Sequence, residues 1–314
     1  EMKLLKGEIE LQADIYKEYR HNIISYRTNI PASMGIEVTP LDNIGETYSR
    51  GVDLSAKYQK AFSSDIYMIL NGTLTYNKVT YKKIEEATDK PYWQLRKGKE
   101  ISQPLAYIAE GLFRDQAEID NSPQQDGDIM PGDIKYRDLN GDGVINVNDA
   151  TFVGFPETPR LVYGFSGFFN VKQFEFSFSF QGSGQRSFFI NSYAVSPFVN
   201  DHALLQAIYD DHWSEDNQAL HPFWPRLSTE NIAYHNPEEN WGNPDNGSAE
   251  TRKSTYFLRN CSFLRCTSIE LAYNIPMKLL KPIGFKNLKL YGRVNNAFCL
   301  TNFRLWDVEL GSNG

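Results

Sequence analysis

Apolar and polar residues alternate along most of the chain with a period of two, the signature of strands whose two faces meet different surroundings. In Glu8–Tyr16, Ile9, Leu11, Ala13 and Ile15 fall on one face, and Glu8, Glu10, Gln12 and Asp14 on the other. Val52, Leu54, Ala56 and Tyr58 oppose Asp53, Ser55, Lys57 and Gln59 in the same way. Farther on, Ile66, Met68, Leu70, Leu74 and Tyr76 oppose Tyr67, Asn71, Thr73, Thr75 and Asn77. The clearest case puts Phe174, Phe176, Phe178 and Phe180 against Glu175, Ser177, Ser179 and Gln181. Four phenylalanines on one face need an apolar neighbour, which either a second sheet or lipid supplies.

The runs approach the ~9–11 residues of a tilted membrane-crossing strand, and the opposite face is small and polar, as in a water-filled lumen. Pattern alone leaves a barrel and a soluble sandwich both open. Connections shift the balance towards the barrel. Short turns at 62–65 and 170–173 close hairpins, whereas 79–102, 116–160 and 183–255 are long, polar and rich in Pro, Gly and Asn. Short turns at one end and long loops at the other are the habit of outer-membrane barrels.

Composition narrows the partners more than the fold. With 314 residues, 41% hydrophobic, the chain has ample material for a core, and a net charge of −7 argues against nucleic acid as a partner. Aromatic residues make up 14%, which suits strands, a sugar-binding surface or a membrane girdle alike. Cys261, Cys266 and Cys299 form neither a disulfide framework nor a metal-ligand spacing. No apolar run of ~18 residues exists, so a transmembrane helix is excluded.

The stretch DLNGDGVINVND, residues 138–149, follows the spacing of an EF-hand loop. Asp138, Asn140 and Asp142 stand at its first, third and fifth positions, Gly143 at the sharp turn, Val144 at the carbonyl position and Asp149 at the last. Asn146 or a water would serve the ninth position. A structural Ca2+ pinning a long loop is the expectation, against a turn-rich hairpin without metal; Asp149 is shorter than the usual Glu. Single copy and non-helical flanks argue against a dockerin.

Trp213, Trp224, Trp241 and Tyr193 are candidates for stacking on sugar rings or meeting a surface partner; the competing reading is that they give a long loop its own core. Tyr92 and Trp93 are similarly placed in the 79–102 loop. No catalytic constellation is found. The histidines fall mostly in the long loop, and Glu215 and Asp216 are adjacent rather than flanking a bond, so no enzymatic activity is expected.

The segment GDIKYRDLNGDGVINVNDATFVGFPETPRLVYGFSGFFNVKQFEFSFSFQG resembles the signature of SusC/RagA-type TonB-dependent outer-membrane transporters. Its phrase runs through Gly154, Pro156, Pro159, Tyr163 and Gly164. Downstream, DDHWSEDNQALHPFWPRLS, STYFLRNCSFLRCTSIELAYNIP and LKLYGRVNNAFCLTNFRLWDVELG resemble later phrases in the family's order. GEIELQADIYKEYRHNII, TYSRGVDLSAKY and PLAYIAEGLFRDQAEI fit earlier strands. Departures are mild: WDVELG lacks the family's Pro, and NCSFLRC differs at several positions.

The resemblance implies an all-β fold, a transmembrane antiparallel barrel of which residues 1–314 form the carboxy-terminal part, with about 22 strands in the whole and long extracellular loops. It implies that a plug, an amino-terminal domain and the first strands precede residue 1, and that a last strand follows Gly314. It implies import of a bulky nutrient, a glycan or peptide, across a Bacteroidetes-type outer membrane. Energy would come from a TonB–ExbB–ExbD complex, and a SusD-like lipoprotein would be the partner. The rival expectation is a soluble, calcium-stabilised β-sandwich that binds carbohydrate.

Overall fold

The computed structural model describes all residues except 31, 36–37, 126, 191–194, 196, 199–202, 229–252 and 314. The chain begins with β1 (Met2–Leu4), β2 (Ile9–Tyr26), β3 (Leu41–Ser63) and β4 (Ile66–Lys83). Four short strands follow: β5 (Leu105–Ala106), β6 (Ala109–Leu112), β7 (Ile134–Tyr136) and β8 (Thr151–Phe152). Then come the hairpin β9 (Leu161–Val171) and β10 (Phe174–Gly184), the short β11 (Ser187–Phe189) and β12 (Leu258–Asn260), and finally β13 (Phe263–Asn274) and β14 (Lys289–Thr301). Eight strands form one antiparallel sheet in the order β1-β2-β3-β4-β9-β10-β13-β14, with β1 and β14 at its edges.

Register turns eight separate alternations into one two-sided wall. Phe174 pairs with Val171 on one side and Tyr273 on the other, Phe176 with Phe169 and Leu271, and Phe178 with Gly167 and Ile269. The same rows continue through Met68 and Leu70 of β4 to Tyr58 of β3 and Ile9 of β2. Towards the other edge they reach Leu290 and Val294 of β14. Directly paired residues share a face, so the apolar sets join across the sheet. The polar sets, such as Asn71, Ser166, Ser179 and Ser268, join behind them.

A one-residue slip in any strand would turn its apolar set to the polar side; the register runs unbroken from β4 through β9 to β10 and shifts at bulges between β2 and β3, between β3 and β4, and in β13 against both of its neighbours. Between Ser179/Phe180 and Cys266/Ser268 the register shifts, and the extra residue, Thr267, anchors itself by donating its hydroxyl to the Ser179 carbonyl at 3.0 Å. Close approach is arranged at Gly182, where a Cβ would lie 2.6 Å from the Tyr163 ring and 2.4 Å from the Phe263 carbonyl. Tyr163 lies across that glycine and donates its hydroxyl to Phe263 at 3.0 Å.

The wall's apolar face is uncovered. Leu271 is 55% exposed and Val294 56%, and no second sheet packs on these rows among the described residues. Paired rings line it, with Phe165 and Phe180 stacked 4.7 Å apart and Phe174 and Tyr273 tilted 4.9 Å apart. A soluble sandwich would have covered this face. No helix is long and apolar enough to cross a membrane among the described residues.

The ends of the wall differ. At one end the turns are two residues, 64–65 and 172–173, with Lys172 in the left-handed region (φ 58°) and its N–H donating to Asp65 across the two turns at 2.7 Å. At the other end lie the segments after β4, β10 and β14, and these hold the hydrophobic core. Tyr107, Leu112, Ile134, Tyr136, Ile145, Phe188, Ile208, Trp224, Phe257 and Phe303 form one buried cluster. Three two-stranded ladders, β5-β8, β6-β7 and β11-β12, frame it. The segments read from the sequence as plain loops therefore contain their own small folded layer.

Candidate functional site

The carboxylate loop is the most ordered polar feature of that layer. Asp138 accepts the Gly141 N–H at 2.6 Å through one oxygen and the Gly143 N–H at 2.8 Å through the other. Asn140 accepts from the Asp142 N–H at 3.0 Å, and Asp142 accepts from the Val144 N–H at 2.9 Å. These short-range turns are what Asx side chains form with backbone two or more residues on. The chain then enters a single helical turn, Val147–Asp149, through a capping box in which Asn146 accepts the Asn148 N–H at 2.9 Å and Asp149 accepts the Asn146 N–H at 2.8 Å. Asp149, wholly buried, also accepts the Leu139 N–H at 2.8 Å and so joins the two ends of the loop.

Burial works against ionisation of Asp138, but the N–H groups of Gly143, Gly141 and Asp142 outweigh it and hold the carboxyl below the usual range. The loop is pinned from outside as well. Ile145 is buried in the core, and its N–H donates to Gln124 at 2.8 Å, while Gln124 donates back to Gly143 at 2.8 Å. Trp93 donates its indole N–H to Asn148 at 2.8 Å, and Gln94 donates to Val147 at 2.6 Å and Ala150 at 3.0 Å. Hydrogen bonds thus hold the loop's shape. Among the described residues, no three His, Cys, Asp or Glu side chains gather closely enough to hold a metal ion. The EF-hand order of donors is present, and Asn140 donates its side-chain amide to the Asp142 carboxylate at 2.7 Å.

The aromatic candidates separate. Trp224 is 0% exposed and packs on Phe257 with ring centroids 5.3 Å apart, so it has no face to offer a sugar. Trp213 is half-buried against the same core, and its N–H donates to the Trp224 carbonyl at 3.0 Å. Gly132, in a left-handed conformation (φ 89°), leaves room for it, since a Cβ there would stand 2.4 Å from the indole. These two serve the loop core, and the stacking role anticipated for Trp224 is corrected by its burial. Tyr193 and Trp241 lie outside the described residues. Tyr92 is the exposed ring, set edge-on against Trp93 at 5.0 Å. All four described tryptophans, 93, 213, 224 and 306, belong to the long-loop end.

Ion pairs missed by the sequence reading tie distant loops together. Asp133, 0% exposed, accepts from Arg226 Nε at 2.6 Å and from Nη2 at 3.3 Å, joining segments 93 residues apart. Arg160, at the foot of β9, donates to the buried Glu100. Past β14, Asp307 accepts from Arg265 at 2.5 Å. The Glu309 N–H, followed by Arg265, holds the Asp307 carboxyl below its ordinary range. Asp133 and Arg226 lie inside the quoted phrases GDIKY and WPRLS, but nothing in either phrase shows that they meet. His212 uses Nδ1 on the carbonyls of Ile208 and Tyr209, both at 3.0 Å, which is a capping role. The Cys261 thiol is pushed up to about 11 by burial, so it is an inert buried group.

No protein-family model matches the chain. TonB-dependent receptor P26 of Formosa agariphila is 30% identical over 203 residues, covering 65% of this chain and 18% of that receptor. TonB-dependent receptor SusC of Bacteroides thetaiotaomicron is 24% identical over 319 aligned positions, covering 98% of this chain and 28% of SusC. Among solved structures, the RagAB peptide importer in its open-open state superposes with a TM-score of 0.65 at 17% identity, over 98% of this chain and 31% of that one. The chain thus spans less than a third of the length of each of these relatives. With its wall, its loop layer and its ordered phrases, the chain is similar to a carboxy-terminal portion of the β-barrel of SusC/RagA-type TonB-dependent receptors.

Proposed function

We propose that this chain is the membrane wall and outer-loop portion of a receptor that imports a bulky nutrient, a glycan or a peptide, across the outer membrane with energy from a TonB complex. The observation that carries this is the wall: one face apolar and uncovered from β2 to β14, the other mainly polar. In this reading residues 1–314 are a single barrel portion, lipid lies on the apolar face, and the polar face lines a passage. The layer at the long-loop end is the outer face, where a SusD-like lipoprotein docks and exposed Tyr92 is available for contact. No catalysis is assigned. The covered core that a soluble carbohydrate-binding sandwich requires is not found on the wall.

The test is uptake by cells that carry or lack the intact receptor. Labelled oligosaccharide or peptide should accumulate only when both the receptor and TonB are present, and equal uptake without either sinks the reading. We also propose that loop 138–149 is a structural clasp that a hard cation such as Ca2+ tightens, through Asp138, Asn140, Asp142, the Val144 carbonyl and Asp149. Donor order and spacing support it. Titration calorimetry with Ca2+ should show one site lost in Asp138→Ala; absence of binding heat, with loop proteolysis unchanged by chelator, rejects it.

A further inference from the structure

The connection from β13 to β14 breaks the rule of its own end of the wall. Its neighbours turn in two residues, yet this one takes fourteen, 275–288. It is a built element rather than slack chain. Ile275 N–H donates to the Leu288 carbonyl at 2.9 Å and closes the base. A helical turn, Met277–Leu280, runs into a second one, Lys281–Ile283, which Gly284 ends in the left-handed conformation (φ 80°). Phe285 N–H returns to the Leu280 carbonyl at 3.2 Å, and the Leu280 side chain is buried as the internal peg.

With that shape fixed, the large apolar side chains point outward. Leu279 is 65% exposed and Ile283 61%, with Met277 and Phe285 similarly bare. Between them stand the exposed Lys278, Lys281 and Lys286, none in an ion pair among the described residues. From 271 to 306 there is no Asp or Glu at all, in a chain of net charge −7. Apolar groups interleaved with lysines and free of acids match a surface that is apolar below and phosphate-bearing above. A water-facing turn has no use for the first, and a protein partner no special use for both.

Position supplies the second argument. The connection grows directly from the row Phe174, Tyr273 and Leu290, the last row of the wall's apolar face at this end. Whatever apolar medium covers that row continues onto Met277 and Leu279.

We propose that residues 275–288 form an interfacial anchor, with apolar side chains in the outermost acyl region and Lys278, Lys281 and Lys286 on the phosphates of anionic phospholipid headgroups. Long lysine stems reach from the apolar boundary to the headgroups, and a short amphipathic element can lie in the interface plane without spanning it. The anchor would fix the height of the short-turn rim against the thrust of a pulled cargo. It rests on the barrel reading above, and the test separates the two.

The experiment places nitroxide labels in the intact receptor that contains this chain, through Ile283→Cys, Phe285→Cys and, as a reference, Val294→Cys. The receptor is reconstituted in vesicles of phosphatidylethanolamine and phosphatidylglycerol, and relaxation by oxygen and by a water-soluble nickel chelate gives each label's depth. Expected are a deep label at 294, labels at headgroup depth at 283 and 285, and a shift of the latter towards water in Lys278→Glu/Lys281→Glu/Lys286→Glu. A Gln triple variant, carrying no repulsive charge, should shift in the same direction by less. A deep label at 294 with water-exposed labels at 283 and 285 overturns the anchor alone. So does shielding of 283 and 285 from both relaxants, which marks a protein cover. Unchanged depth in both Lys variants overturns the phosphate contact, and a water-exposed label at 294 removes the barrel reading together with the anchor.

Discussion

The wall and the loop layer use the same apolar residues under opposite conditions. In the wall, seven long strands of 11 to 23 residues carry Phe174, Phe176, Leu271 and Val294 on a face that nothing covers among the described residues. In the loop layer, strands of two to four residues surround Trp224, Tyr107 and Ile134, which are fully buried. The wall draws its order from continuous backbone ladders and leaves its side chains bare, as the bilayer of the proposed reading demands. The loop layer meets water and has too few ladder bonds to stand by itself, so it must bury side chains and pair charges. One chain thus contains two folding problems, and each solution would fail in the other's place.

The largest expected break is in the loop layer. Trp224→Ala removes the centre of its core and should cost about 3–5 kcal/mol of loop stability. Limited proteolysis of the intact receptor should then cut the 84–160 and 185–262 segments while the wall keeps its heat-resistant migration. Loss of both together would show the two regions to be one cooperative unit. Asp133→Ala should come next, at about 3 kcal/mol, because it strands the nearly buried Arg226 without its carboxylate. Hydrogen exchange around β6 and β7 should accelerate, and unchanged exchange there would deny the pair its role as a tie.

The wall is broken by a different chemistry. Val294→Arg should cost roughly 2–3 kcal/mol in a bilayer-refolding titration, whereas Ser177→Arg on the opposite face should be nearly neutral. Equal costs would mean that both faces meet water. The smallest effect is on pH. Asp138 and Asp307 have carboxyls held below their usual range in the folded chain. Their contribution is therefore full above the ordinary carboxylate pKa and lost as pH falls through the lower folded values. Protease sensitivity of 138–149 should be flat from about pH 7 to 5 and rise below about pH 4, while Asp138→Asn should be sensitive throughout.

The two regions were also unequally legible. The wall could be read strand by strand, because a period of two is visible within each strand, and register only had to join what alternation had already sorted. Phe174–Phe180 is the plainest instance. In the loop layer, Leu105–Ala106 and Thr151–Phe152 are too short to have a period, and they meet across 44 intervening positions. Asp133 and Arg226 are ordinary surface residues by composition, and only folding makes them a buried pair. Trp224 shows the limit most clearly, since a tryptophan in a polar segment reads equally well as a ligand platform or a core, and burial decides. The EF-hand order of 138–149 was legible, while its bracing by Trp93 and Gln94 was not.

The uneven placement of indoles has a practical consequence for anyone who follows unfolding optically. With Trp93, Trp213, Trp224 and Trp306, the four described tryptophans, all at the long-loop end, the emission of these four indoles is a gauge of that layer. A clean sigmoid in denaturant would chart the melting of the loops and stay blind to strands still zipped together beneath them.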